Sequence, residues 1–276
     1  MDSDLYVAVT NDNIGVLKEM EGSRLSVGAQ PTPTNNTVLH LACQYGILNQ
    51  GGLDCAKLLQ HWKGDLIKIP DNYGWTVFHY VAYNNLHKKV EYLVGADKDK
   101  SVVYQPDKEY KRTALHVAAY TGNIGVMQEL LRYCPDSLEL VDGSGRNILH
   151  IAVEQDRKPL ISFILSFGAN NNLLIKRDNQ GNTPLHMIAN LGCYVPELMD
   201  PSQGDLEVDW EILDKQNLSP IDILHCRQKT DTSADQAMAR RTLISADLWL
   251  EEHLLVPTEK GITCGKNSRS KRLRGG

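Results

Sequence analysis

The side chains with the most chemistry to offer in this chain are nine histidines and six cysteines. Five of the histidines, His40, His79, His116, His150 and His186, recur at intervals of 39, 37, 34 and 36 residues. An imidazole in such a series can ligate a metal, move a proton or serve as a hydrogen-bonding bolt inside a core. Burying one costs free energy unless it is hydrogen-bonded, so an otherwise apolar run such as "ALHVAA" keeps His116 for a reason.

The neighbours of each histidine separate these chemistries. The segments are "NTVLHLAC" (Thr37, His40), "WTVFHYVA" (Thr76, His79), "RTALHVAA" (Thr113, His116), "RNILHIAV" (Asn147, His150) and "NTPLHMIA" (Thr183, His186). A degraded sixth copy, "LSPIDILH", has Ser219 at the threonine position and Asp222 at the histidine position. Helices pack ~8–10 Å apart, whereas zinc needs its nitrogens at ~2.0–2.1 Å, so histidines recurring once per repeat cannot share an ion. No serine or cysteine nucleophile and no paired acids recur beside them, which leaves catalysis without its partners. Cys43, Cys55, Cys134, Cys193, Cys226 and Cys264 are scattered without a C-x-x-C pair, as reduced thiols of an intracellular protein are. The expectation is therefore no catalytic residue, no metal, no cofactor and no small-molecule substrate.

What must position the histidines is a repeated unit. Asp71, Asp142, Asp178 and Asp214 open a turn five residues before the Thr, Asn or Ser. That residue then caps a short helix, with Pro184 and Pro220 just inside it, where a missing N–H costs nothing. A break follows, as at Gly46, Asn84 and Gly122, and a second apolar helix closes the unit. Helices of roughly ten residues are unstable alone, so only stacking of units can hold them. The fold class expected is an all-α repeat solenoid of helix pairs joined by short β-hairpin turns.

Residues 1–21 read as an N-terminal capping half-repeat, because Leu5–Met20 overlays Leu115–Leu130 with Tyr6 in the histidine's place. The array runs over 35–226, with about five regular repeats and one degraded. An acidic insertion (195–211), a C-terminal capping helix (232–255) and a basic disordered tail (257–276) complete the organisation. All acidic residues lie at or before Glu259 and six basic ones follow it, so the net charge of −5 divides into a body of −11 and a tail of +6. Such a body repels a phosphate backbone, and no nucleic-acid partner is expected. The start "MDSDLYVAVT" lacks the marks of a signal peptide. No window approaches the ~20 apolar residues of a membrane span.

The T-x-L-H-x-A motif at this period resembles the ankyrin repeat. That resemblance implies Thr–His hydrogen bonds locking each repeat to the next, at Thr37/His40, Thr76/His79, Thr113/His116, Asn147/His150 and Thr183/His186. It also implies a non-enzymatic protein-binding scaffold that works through hairpin tips and the concave helix face. On those surfaces the expected partner contacts are Tyr73, Trp75, Tyr110, Arg112, Tyr120 and Arg146. "LLRYCPDSLELVDGSGRNILHIAV" (Leu130–Val153) is similar to the plant accelerated-cell-death-like ankyrin family, Pro-Gly-Gly-motif membrane proteins of salicylic-acid-linked immunity. This narrower resemblance implies a role in plant defence signalling, but it stops short of a membrane region. The chain is accordingly expected in the cytoplasm, without direct membrane insertion, meeting membranes through protein partners such as membrane-anchored relatives. The alternative is a nuclear or conjugation-linked regulatory factor using the basic RLRGG tail.

Overall fold

The structure, a computed structural model, describes residues 3–11, 13, 15, 16, 19, 32–44, 64–97, 99–166, 172–193, 195–199 and 208–228. The chain divides into two compact units, Met1–Pro184 and Leu185–Gly276. The first holds α1 (Ser3–Thr10), α2 (Val38–Gln44), α3 (Val77–Tyr83), α4 (His87–Ala96), α5 (Ala114–Thr121), α6 (Ile124–Tyr133), α7 (Ile148–Glu154), α8 (Lys158–Ser166) and α9 (Asn172–Ile175).

The first helix of each pair is apolar on every side because neighbours cover it on every side. In α5, Ala114, Leu115, His116, Val117, Ala118 and Ala119 are all buried. The row runs α2, α3, α5, α7, each packed on the next. The second helices form an outer row in which α4 packs on α6. These are two-faced: α6 buries Val126, Met127, Leu130 and Leu131 and leaves Gln128 and Arg132 in solvent. Short 3-10 turns at Gly64–Lys68, Ser101–Tyr104 and Pro135–Glu139, and α9 after α8, bring the chain back. They seal the core with Leu66 and Ile67, Val102 and Val103, Leu138, and Leu173 and Leu174.

Hairpins precede the first helices, closed by bonds such as Asp71 N–H to Trp75 O (2.9 Å) and Asp107 N–H to Arg112 O (2.8 Å). No strand forms among the described residues. Successive tips are instead joined by single backbone bonds: Lys108 N to Tyr73 O, Gly143 N to Tyr110 O and Asn179 N to Ser144 O, at 2.8–2.9 Å. The tips are too short for a ladder, so the expected β-hairpins are turns only. They also approach too closely for side chains at two positions. A Cβ on Gly74 (φ +84) would lie 2.8 Å from Lys108 N, and one on Gly145 (φ +76) 2.6 Å from Asn179 Oδ1. Glycine meets both the left-handed backbone and the clearance.

In the second unit, α10 (Pro184–Leu191) is followed by α11 (Pro196–Met199) and α12 (Pro220–Gln228). Both ends of the stretch 195–211, read as an acidic insertion, are packed: Val195 and Leu198 are buried at its start, and Val208 and Trp210 at its end. Residues 200–207 lie outside the described residues, as do the 232–255 helix, the 257–276 tail, Cys55 and Cys264. Cys43, Cys134, Cys193 and Cys226 form no disulfide. Among the described residues no helix is long and apolar enough to cross a membrane.

Candidate functional site

The repeated histidines are N3 residues of the first helices, three positions after the cap. At α3, Thr76 N–H donates to His79 Nδ1 (3.0 Å) and the Thr76 hydroxyl lies 3.0 Å from the same nitrogen. A backbone N–H can only donate, so Nδ1 carries the lone pair and the proton sits on Nε2. Nε2 then donates to Arg112 O at 2.9 Å, in the next repeat. His40 repeats this between Thr37 and Trp75 O (3.1 Å). At α7, Asn147 replaces threonine: Oδ1 takes the Leu149 and His150 N–H groups and lies 2.7 Å from His150 Nδ1, while Nδ2 donates to Leu173 O (2.8 Å). His150 Nε2 reaches Asn182 O at 3.0 Å. In the second unit His186 Nε2 reaches Leu218 O at 3.1 Å, and Thr183, the cap residue before α10, is fully buried. Asp222 keeps half of the device, its Oδ2 accepting the Ser219 N–H at 2.9 Å.

His116 departs from the pattern. Its Nδ1 is held by Thr113 N (3.2 Å) and Oγ1 (2.8 Å). Its Nε2 faces the Leu140 and Arg146 carbonyls without an aligned hydrogen bond to either. Burial lowers the pKa of the four repeat histidines of the first unit, His40, His79, His116 and His150, those of His40 and His116 to about 4. An imidazolium would turn a second N–H toward a backbone donor, so the neutral ring is the one that fits.

From Asp71 onward the hairpins are organised by their first aspartate, whose Oδ1 accepts two N–H groups of the tip. Asp71 holds Tyr73 and Trp75 (2.9 and 2.7 Å), and Asp142 holds Ser144 and Arg146 (2.8 and 3.0 Å). Asp107 does the same for Tyr110 (2.7 Å) and, more loosely, for Arg112 (3.4 Å). The five-residue spacing missed Asp107, because this tip carries an additional residue; Lys111 takes a positive φ of 55.

Two of these tips and two helix ends enclose a groove of about 540 Å³ lined by Asp71, Tyr73, Trp75, Tyr80, Tyr83, Asp107, Glu109, Tyr110, Arg112, Val117 and Tyr120. Five of the six expected contact residues, Tyr73, Trp75, Tyr110, Arg112 and Tyr120, therefore converge on one site. Trp75 forms its inner wall, stacked on His79 (5.8 Å between centroids) and edge-on to Tyr80 (5.2 Å). Tyr80 donates its hydroxyl to Asp71 Oδ2 (2.9 Å), and burial, then that carboxylate, pushes its pKa up. The Arg112 guanidinium lies 4.9 Å from the Tyr110 ring centroid and 5.1 Å from that of Tyr120, with Nε 3.8 Å from Asp142. Tyr73, Tyr83, Tyr110 and Tyr120 remain 60, 54, 51 and 40% exposed.

Arg146, the sixth expected contact, does not line the groove. Its guanidinium is occupied by Asp142 (2.8 and 3.0 Å) and Glu154 (2.9 Å). Burial would push the Asp142 carboxyl up, but the Arg146 bonds outweigh it and hold the carboxyl below the usual range. The residue expected as a partner contact is thus engaged within the chain itself.

A second set of bolts was not anticipated. Asn84 Nδ2 donates to Cys43 O (3.0 Å) and Asn123 Nδ2 to Ala82 O (2.7 Å), each tying a helix break to the preceding repeat. Arg157 Nε reaches Tyr120 O (3.3 Å) from the same place in the next unit. Asparagine at the breaks was the available signal, and it read only as a helix stop.

Comparison with known proteins bears on the whole. A family model described as "Ankyrin repeats (3 copies)" matches residues 5–103, 48–136, 96–175 and 115–206. The chain is 29% identical over 175 residues to the target of rapamycin complex 2 subunit AVO2 of Saccharomyces cerevisiae, covering 63% of this chain and 40% of that protein. It is 30% identical over 154 residues to the palmitoyltransferase AKR1 of Lachancea kluyveri, covering 53% and 19%. The chain thus spans less than half the length of either relative. Among solved structures, the ankyrin repeat domain of Bcl-3 superposes with a TM-score of 0.69 at 21% identity, covering 89% of this chain and 98% of that one, which is a likeness of fold.

Proposed function

The chain belongs to the ankyrin-repeat family, and on that premise we propose that it is a non-enzymatic scaffold whose partner is a protein seated in the groove between Tyr73 and Tyr110. The observation that carries this reading is the gathering of four exposed tyrosines around one groove. Solvated tyrosines side by side cost a folded protein solubility, and Tyr and Arg supply most binding hot spots. Asn84, Asn123 and the histidine bolts hold the lining elements from behind, so the surface is formed before a partner arrives and little ordering is needed on binding.

The finer reading sets this scaffold in the cytoplasm, in plant defence signalling, with membrane-anchored ankyrin relatives as partners. Its plant-defence and partner parts rest on the resemblance of Leu130–Val153, and its cytoplasmic part also on cysteines scattered without a C-x-x-C pair. The RLRGG alternative falls on residues outside those described and draws no support from the groove.

The test is affinity capture from the source cells with the full chain, the double variant Tyr73→Ser/Tyr110→Ser, and Arg132→Ala on the outer row, each quantified by mass spectrometry. The proposal requires a partner held by the wild type and by Arg132→Ala and weakened at least ~10-fold by the tyrosine pair, the loss expected for removal of anchor residues. Equal capture by all three overturns it.

A further inference from the structure

We infer that the groove is built to take a cationic side chain, an arginine or lysine presented by an extended segment of the partner; the inference rests on the groove being the binding site proposed above. Three carboxylates, Asp71, Asp107 and Glu109, line it against one guanidinium, that of Arg112. The three differ in what they have left to give. Asp71 is fully engaged, Oδ1 by two tip N–H groups and Oδ2 by the Tyr80 hydroxyl. Asp107 is 3% exposed, its Oδ1 engaged by Tyr110 and Arg112 N–H. Its Oδ2 accepts no hydrogen bond, and no lysine or arginine among the described residues pairs with it. The corresponding oxygen of Asp142, one repeat on, is taken by Arg146. The groove wall therefore holds a nearly buried carboxylate with one oxygen unpartnered, which favours a donor bearing positive charge.

The aromatic lining agrees with that charge. Ring faces attract cations within about 6 Å of the centroid, more strongly as water is excluded. The groove already holds one cation this way, Arg112 over Tyr110 and Tyr120. Tyr73 and Tyr83 occupy the corresponding places one repeat earlier, but there the residue corresponding to Arg112 is Trp75, which brings no charge. Those two are the most exposed of the lining tyrosines. The lysines of the same tip do not line the groove: Lys108 Nζ is held by Asn72 O at 3.1 Å, and Lys111 lies against Gly143. A partner cation entering between Tyr73 and Tyr110 would thus meet ring faces and an unpartnered carboxylate oxygen together.

The experiment measures binding of labelled Gly-Ser peptides to the full chain by fluorescence anisotropy at low salt. One peptide carries arginines at alternate positions, one citrullines, which keep the shape without the charge, and one glutamates. The arginine peptide should bind at least ~10-fold more tightly than either counterpart, as a desolvated cation–π contact with a charge pair allows. Asp107→Asn should lose that preference, and Tyr73→Ser/Tyr110→Ser should weaken the arginine peptide ~10-fold. Glu109→Gln, on an exposed residue, keeps the charge test readable where Asp107→Asn unfolds the tip, and should reduce the preference in the same direction. Equal binding of arginine and citrulline peptides overturns the inference. So does arginine-peptide binding unchanged by the tyrosine pair, which assigns it to the acidic body at large, or no arginine-peptide binding. If partner capture depends on Tyr73 and Tyr110 while the arginine peptide is ignored, the scaffold reading stands and this inference falls.

Discussion

Lowering the pH from 7 to 5 should loosen the first unit through its histidines, and the size follows from their burial. His40 and His116 have folded-state pKa values of about 4 against 6.5 when exposed. Because the folded value lies below the unfolded one, the unfolded chain binds more protons between about pH 4 and 6.5, and stability falls as pH falls through that window. The contribution is complete above about pH 6.5 and levels off below about pH 4. At pH 5 an unfolded imidazole is almost wholly protonated and a folded one about a tenth protonated, so each costs roughly 2 kcal/mol relative to pH 7, or ~4 kcal/mol for the pair. His79 and His150 shift in the same direction and add to this. Urea unfolding followed by circular dichroism at pH 7, 6 and 5 reads the loss, with His116→Gln as the control. That variant should be less stable at pH 7 yet lose roughly 2 kcal/mol less between pH 7 and 5. A flat stability between pH 7 and 5, or a His116→Gln slope equal to wild type, would refute the assignment of neutral bolts.

The glycines give a paired test by thermal unfolding. Gly74→Ala should destabilise by more than ~1 kcal/mol, from positive φ and the Lys108 backbone 2.8 Å away. Gly95→Ala, in helix α4 with nothing within 4 Å, should stabilise by up to ~1 kcal/mol. Arg146→Ala should cost roughly 3 kcal/mol by removing the cation hydrogen-bonded to Asp142, whose side chain is 1% exposed, and leaving it only the more distant Arg112 at 3.8 Å. The same variant should leave partner capture unchanged once protein concentration is matched for folded fraction.

The sequence by itself determined the repeat, and for a physical reason: a cap, an N3 histidine and an apolar helix are local devices, so their spacing in the chain is their spacing in space. The same pattern carried the expectation of hydrogen-bonding histidines, since one per packed helix leaves ligands too far apart for one metal. Even the substitution at Ser219 and Asp222 was visible as a degraded copy, and Asp222 keeps the backbone contact of the lost histidine. What the chain alone did not decide was the fate of side chains whose partners lie one repeat away. Arg112 and Arg146 are equivalent in the motif, yet Arg112 lies over two tyrosines in the groove and Arg146 closes on Asp142 and Glu154. Asn84 read as a helix stop and Asn123 only stood beside the stop at Gly122, and stacking alone shows them holding carbonyls about forty residues back. Asp107 was hidden by a single additional tip residue, which shifts the spacing but not the backbone groups the carboxylate collects. Local hydrogen bonds are written in the sequence at fixed intervals, whereas the groove exists only where separate repeats meet, and its unpartnered oxygen follows from which neighbouring cation fails to reach it.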